Sequence, residues 1–226
     1  MQLELNQLIV PPGHQLLLQD VSWQMFEKIL EELGETRAAR VSYSKGLLEI
    51  MTPLPEHEDD KVIIGDLVKA LLEELDIEFR SLGSTTFKSQ KMQQGLEADD
   101  CFYIQNEAVI RGKKRIDLNF YPPPDLAIEI DLTTRTRFNN YEVLGVPELW
   151  RYDGQKLEIN VLKDGKYVES DTSYNFPQLP IGEAITNYVE QSKILGRNVM
   201  IKSFRKWVRE QFKTRGYRDT QTGRPI

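Results

Sequence analysis

The segment Asp125-Leu126-Ala127-Ile128-Glu129-Ile130-Asp131-Leu132 holds the residues of this 226-residue chain best suited to chemistry. It reads as a β-strand. Side chains at i and i+2 of a strand share a face, so Glu129 and Asp131 project together while Ile128, Ile130 and Leu132 take the other side. Two adjacent carboxylates repel, and burying them costs on the order of several kcal/mol unless something compensates. A divalent cation would compensate; a half-exposed strand with a wet carboxylate face accounts for the same pattern without chemistry. Asp99 lies thirty positions before Glu129, just ahead of another strand-like run, Cys101–Ile104. Metal-dependent phosphodiester hydrolysis uses carboxylates from two adjacent strands to hold a cation that polarises the phosphate and acidifies the attacking water. The competing reading of Asp99-Asp100 is a plain turn.

Other residues could join this set. Glu49 alternates with Leu48 and Ile50, so it either enters the site from a hairpin or is an exposed strand glutamate. His57, at a helix start, could orient a carboxylate, contact a phosphate or act structurally as a cap. Lys88 and Lys91 precede Asp99 and could meet a phosphate, or be ordinary surface lysines. Trp150 and Tyr152 read as core or dimer-interface residues rather than base-stacking platforms.

Composition narrows the chemistry. With one cysteine, Cys101, and two histidines, His14 and His57, neither a Cys-rich nor a multi-His zinc site can be built. A metal would take carboxylates and water, which points to Mg or Mn. Apolar runs of four or five residues are too short to span a membrane, and Met1–Leu8 has no secretory pattern, so a soluble cytoplasmic protein is the expectation. The net charge of −6 hides an asymmetry. From Lys193 onward ten basic residues face two acidic ones, so a body of −14 carries a tail of +8.

The elements that must position these residues are legible in outline. Trp23, Phe26, Ile29, Leu30 and Leu33 recur at helical spacing between a capping Ser22 and a terminating Gly34. Lys45-Gly46 joins two alternating runs as a hairpin. A helix is expected from about Glu56 to Leu75, with strands at Ile77–Leu82 and Thr85–Lys88. A further helix from roughly Arg135 to Leu144 precedes a strand at Leu149–Tyr152. Asp153-Gly154 and Asp164-Gly165 form turns between Lys156–Leu162 and Lys166–Glu169. Two more helices, Gly182–Ser192 and Ser203–Phe212, complete a mixed α/β chain.

Three blocks carry a family resemblance: Glu97-Ala98-Asp99, Pro124–Asp131, and Gly145-Val146-Pro147-Glu148-Leu149-Trp150-Arg151-Tyr152-Asp153. Together with Gly46–Pro53 and Glu56-His57-Glu58, they resemble the Uma-two family of restriction-endonuclease-like proteins in the PD-(D/E)xK superfamily, over roughly residues 20–170. The resemblance implies an α/β restriction-endonuclease-like fold, a mixed central sheet flanked by helices; the expected domain spans residues 1–195, and charge and periodicity mark 196–226 as a basic amphipathic helical extension. It implies a Mg- or Mn-dependent endonuclease acting on DNA, and a homodimer. By position, Asp99 and Glu129 match the motif carboxylates. The superfamily's usual lysine falls at Asp131, which would serve as an extra ligand or base. Arg137 matches the place to which the family often displaces its lysine, and would steady the phosphate. Loss of the lysine equally suits an inactive nuclease-fold module that binds nucleic acid or a protein partner. In the tail, Arg205, Lys206 and Arg209 could bind nucleic-acid phosphates, or the helix could pack its stripe of Phe204, Trp207 and Val208 on the acidic body.

Overall fold

Ser22 caps the first helix as its place before an apolar-periodic run implies. Its side chain accepts a hydrogen bond from Met25 N, and α1 (Trp23–Leu33) stops at Gly34, whose φ of 72° suits glycine. This is a computed structural model, describing residues 8–34, 39–132 and 138–214. Before α1 lies β1 (Gln15–Leu18); after it, β2 (Arg40–Ser44) and β3 (Leu47–Met51) form the expected hairpin. Lys45 and Gly46 both have positive φ, 46° and 93°, the tight turn whose twist matches that of paired strands. Next come the long helix α2 (Pro55–Glu74), β4 (Arg80–Ser81), β5 (Thr86–Ser89), β6 (Gln94–Glu97), β7 (Asp100–Tyr103) and the short α3 (Glu107–Ile110). The chain continues through β8 (Leu126–Ile130), α4 (Phe138–Leu144), β9 (Glu148–Tyr152), β10 (Leu157–Lys163), β11 (Lys166–Glu169), α5 (Ile181–Leu195) and α6 (Arg197–Thr214).

The strands divide between two sheets, where the sequence suggested one central sheet. One sheet is antiparallel, in the order β1-β3-β2-β6-β5; the other, β11-β10-β9-β8-β7-β4, is mixed, its parallel pair being β8 with β9. Helices flank both. The mixed sheet sends Phe102, Leu126, Ile128, Ile130, Trp150 and Tyr152 into a core shared with α2, α5 and α6. Its other face sends Cys101, Tyr103, Ala127 and Leu149 into a second cluster, completed by Phe87 and Leu96 of the antiparallel sheet and by Tyr141 and Leu144 of α4. The outer face of the antiparallel sheet packs on α1, with Phe26 stacked on Tyr43 at 4.6 Å. Gly95 permits this approach, since a Cβ there would lie 2.5 Å from Phe26 Cζ.

The expected strand at Ile77–Leu82 shrinks to Arg80–Ser81, the two residues that pair with β7. Ile77 instead closes the end of α2, its N–H bonding Leu72 O, and packs with Phe79 against the main core. Helix α6 starts earlier than its periodicity suggested and belongs to that core through Met200, Phe204, Val208 and Phe212. Its charges meet the acidic face of α2: Arg197 on Asp66 at 2.6 Å, Arg205 on Glu73 and on Glu74 at 3.1 Å, and Arg209 on Glu74 at 2.6 Å. The remainder of the basic tail, from residue 215, lies outside the described residues, and among those described no helix is long and apolar enough to cross a membrane.

Candidate active site

Asp99 immediately precedes β7, and β7 pairs antiparallel with β8 through Asp100↔Ile128 and Cys101↔Ala127. Continuing that register puts Asp99 beside Glu129, on the face that holds Cys101 and Tyr103. Asp100 turns the other way, toward α2, where Gly65 leaves room: a Cβ there would sit 2.5 Å from Asp100 Oδ2. Asp99-Asp100 is therefore the entry to a strand, not a turn.

Asp99 is almost wholly buried, and both of its carboxyl oxygens have partners. Oδ2 accepts the Ile130 N–H at 2.8 Å and lies 3.1 Å from His57 Nε2; Oδ1 lies 3.4 Å from Arg40 Nε. Burial pushes the Asp99 carboxyl up, but the adjacent His57 imidazole, the Ile130 N–H and the Arg40 guanidinium together outweigh it and hold the group below the usual carboxylate range. His57 is itself buried in the first turn of α2. Its Nε2 contact to Asp99 is off the line of a hydrogen bond, and its Nδ1 has no hydrogen-bond partner in the structure.

Glu129 behaves oppositely. Burial first, then the Asp99 charge, raise its carboxyl far above the usual range, although Tyr141 donates its hydroxyl to Oε1. Glu129 stands beside Asp99 in the continued β7–β8 register, so the charge of one carboxyl opposes ionisation of the other. The Tyr141 hydroxyl is in turn pushed well up by burial and by Glu129.

Asp131 shares the strand face of Glu129 but is committed elsewhere. Its Oδ2 accepts from Arg151 Nε at 2.7 Å and lies 2.5 Å from Nη2, and both side chains are only 6% exposed. Glu49, Glu97, Asp99, Glu129 and Asp131 line one cavity of about 80 Å³, together with Arg40, Ser42, Asn140 and Tyr141. That volume holds a cation and a handful of waters. Five carboxyl side chains face one guanidinium on its walls, and such an excess suits a cation. Mg²⁺ asks for only one or two protein carboxylates, with water or phosphate oxygens completing its shell. Asp99 and Glu129 meet that requirement. Among the described residues no group of three or more His, Cys, Asp or Glu is placed to hold a metal, and the Asp131–Arg151 pair explains why Asp131 does not make a third.

The cavity thus gathers Asp99, Glu129, Asp131 and Glu49, with His57 against Asp99 from behind. Lys88 faces the opposite side of β5, on Glu27 at 2.8 Å, and Lys91 is exposed in the β5–β6 turn; neither lines the cavity. Arg205 and Arg209 are engaged on α2, and Lys206 lies 3.8 Å from Glu210. Arg137 lies outside the described residues.

Sequence reasoning passed over Arg40, which reaches Glu58, Glu97 and Asp99 at 3.0, 3.4 and 3.4 Å. It also passed over Asn140, which donates to Ser42 Oγ at 2.6 Å, and over Tyr141 and Arg151. A signal existed for Arg151: a charge inside Glu148-Leu149-Trp150-Arg151-Tyr152, a strand buried along its whole length, must have a partner. Glu148 is the other buried charge of that strand. It accepts Trp150 Nε1 at 2.7 Å and the backbone and side-chain nitrogens of Asn175 at 2.9 and 2.7 Å, which makes it a bracket of the fold.

A solved structure from Anabaena variabilis ATCC 29413, described as a putative nuclease belonging to DUF820, aligns over 79% of this chain and 96% of its own, at 16% identity and a TM-score of 0.44. No curated protein matches. The model of the Uma2 family, described as "Putative restriction endonuclease", matches residues 23–189 and so spans every residue that lines the cavity, from Arg40 to Tyr141; this chain belongs to the Uma2 family.

Proposed function

We propose that the protein is a metal-dependent endonuclease that hydrolyses DNA phosphodiester bonds, with Asp99 and Glu129 holding Mg or Mn. The observation that carries this reading is the placing of Asp99 beside Glu129: two carboxyl groups on paired strand ends, lining one cavity with carboxylates in excess. When bound, the cation supplies polarisation of the phosphate and a more acidic attacking water. The chain's own residues prepare the site. Ile130 N–H, His57 and Arg40 fix Asp99 as an anion, Tyr141 orients Glu129, and Arg151 keeps Asp131 from competing. Arg137, named from the family resemblance alone, would steady the phosphate with its guanidinium. A cytoplasmic homodimer belongs to the same reading, since two sites serve duplex cleavage.

The test is nicking of supercoiled plasmid with and without Mg or Mn, by the wild type and by Asp99→Asn and Glu129→Gln. Divalent-dependent nicking by the wild type and its loss in both variants are expected. An equal, metal-independent background in all three would end the enzyme reading.

One observation favours a second reading, a non-catalytic nuclease-fold module. Asp99 and Asp131 face the internal guanidinium groups of Arg40 and Arg151, as they would in a site that no longer turns over. Nucleic-acid affinity unaffected by divalent ions, without cleavage, would select it.

A further inference from the structure

The segment Arg111-Gly112-Lys113-Lys114-Arg115 places four cations in five residues, within a body that is otherwise strongly acidic. Arg111 is neutralised by Glu107, with Nε 2.9 Å from Oε1. Lys113, Lys114 and Arg115 are exposed, and none forms an ion pair with a described residue. The loop beneath them is fixed. Arg80 donates to Ile110 O at 2.6 Å and to Lys113 O at 2.8 Å, and Asp117 accepts the Asn119 N–H at 2.8 Å. Ile116, Leu118 and Tyr121 pack underneath on the cluster that contains Tyr141. Phe120 nevertheless stands out into water, 82% exposed. Such a ring left in water, beside three cations that form no ion pair with a described residue and of which Lys113 already lies over the Tyr121 ring at 5.6 Å, suits a partner with both charge and flat apolar faces.

We infer that this loop is a nucleic-acid contact surface, with Lys113, Lys114 and Arg115 on backbone phosphates and Phe120 stacking on an unpaired base. The inference rests on the nucleic-acid reading above, but on its binding side and not on turnover. The loop lies close enough to serve the carboxylate site. Asn119 Oδ1 accepts from Ser89 Oγ at 3.4 Å, and three residues along β5 Thr86 pairs with Glu97, which lines the cavity. That is about 10 Å at strand rise, comparable with the roughly 12 Å width of a duplex major groove. The described arginines of α6, by contrast, spend their charge on Asp66, Glu73 and Glu74.

The test is fluorescence anisotropy of the full chain with labelled duplex and single-stranded oligonucleotides, in EDTA, over a range of salt. The triple variant Lys113→Ala/Lys114→Ala/Arg115→Ala should lower the slope of log affinity against log salt by roughly 3, at about 0.9 per phosphate contact. Phe120→Ala should weaken single-strand binding by about tenfold and duplex binding little. A control, Lys45→Ala/Lys163→Ala/Lys202→Ala, removes equal charge from exposed sites elsewhere. An unchanged slope in the loop variant, or an equal drop in the control, overturns the inference. So does loss of binding to phosphatidylserine vesicles with DNA affinity intact. Slope loss without plasmid cleavage leaves the inference standing and the endonuclease reading fallen; cleavage with an unchanged slope gives the reverse.

Discussion

Arg151 stands opposite Glu129 in the parallel register of β8 and β9, yet it gives its guanidinium to Asp131. The pair is closed and nearly dry, with Glu158 a further 3.2 Å partner of Arg151. Its arrangement separates two roles that residue spacing alone would merge: Glu129 faces the cavity beside Asp99, while Asp131 neutralises a buried cation.

That separation predicts distinct phenotypes. Asp131→Ala should cost about 3 kcal/mol of stability, because it strips a buried guanidinium of a close partner; equilibrium urea unfolding measures this. Asp131→Ala/Arg151→Met should recover most of the loss. Asp131→Asn should retain plasmid nicking within about tenfold, whereas Asp99→Asn and Glu129→Gln abolish it. Equal loss in all three would make Asp131 a direct participant.

The opposite displacements of Asp99 and Glu129 predict a pH dependence in the absence of metal. Glu129 is raised, first by burial and then by Asp99, so between the ordinary carboxylate range and its folded pKa the folded protein holds a proton that the unfolded chain releases. Stability should fall as pH rises from the ordinary carboxylate range toward the folded pKa of Glu129, with a limiting slope of about 1.4 kcal/mol per pH unit. Asp99 works at the acid end. Despite burial it is held low by His57, Ile130 N–H and Arg40, so its contribution is complete above the ordinary range and is lost as pH falls through its folded pKa. Urea unfolding in EDTA between about pH 5 and 8 should show the decline in wild type and a flatter curve in Glu129→Gln. Matching curves would mean that Glu129 is already ionised.

The Asp99–Glu129 pairing was legible because both halves are local patterns: a two-residue alternation in one strand and an acid at the entry to another. Arg40, Asn140 and Tyr141 were not, because each reaches the cavity from an element placed only by tertiary packing. The strand β6, Gln94-Gly95-Leu96-Glu97, has no alternating apolar signature, since Gly95 serves the approach of Phe26 and not β-propensity. The Lys45-Gly46 and Asp164-Gly165 turns were legible because positive φ selects their residues directly.

Glu148, a buried charge of β9, predicts a loss of stability without a specific loss of chemistry. Glu148→Ala leaves Trp150 Nε1 and two Asn175 nitrogens without their acceptor inside the core, a cost of about 3 kcal/mol. The melting temperature should drop by many degrees. Activity per folded molecule, measured well below the midpoint, should stay near wild type; a lost turnover in fully folded protein would bring Glu148 into the site's function.

Glu74 tests what holds α6 in place. Its carboxyl is kept below the usual range by the hydrogen bond from Arg209, against partial burial, and by that from Arg205. A depressed folded pKa means that the stabilisation is present above the ordinary carboxylate range and is lost as pH falls through the folded value. Arg209 is largely exposed, so solvent screens the pair and leaves it a minor contributor. The apolar stripe Met200, Phe204, Val208 and Phe212 is completely or nearly buried, and Phe204→Ala alone should cost about 3–4 kcal/mol. Hydrogen exchange of α6 amides should therefore accelerate modestly in Glu74→Gln, and no further on acidification, while Phe204→Ala accelerates it strongly at every pH. If instead Glu74→Gln frees α6 as fully as Phe204→Ala does, charge pairing with α2 holds the helix and the apolar stripe follows it.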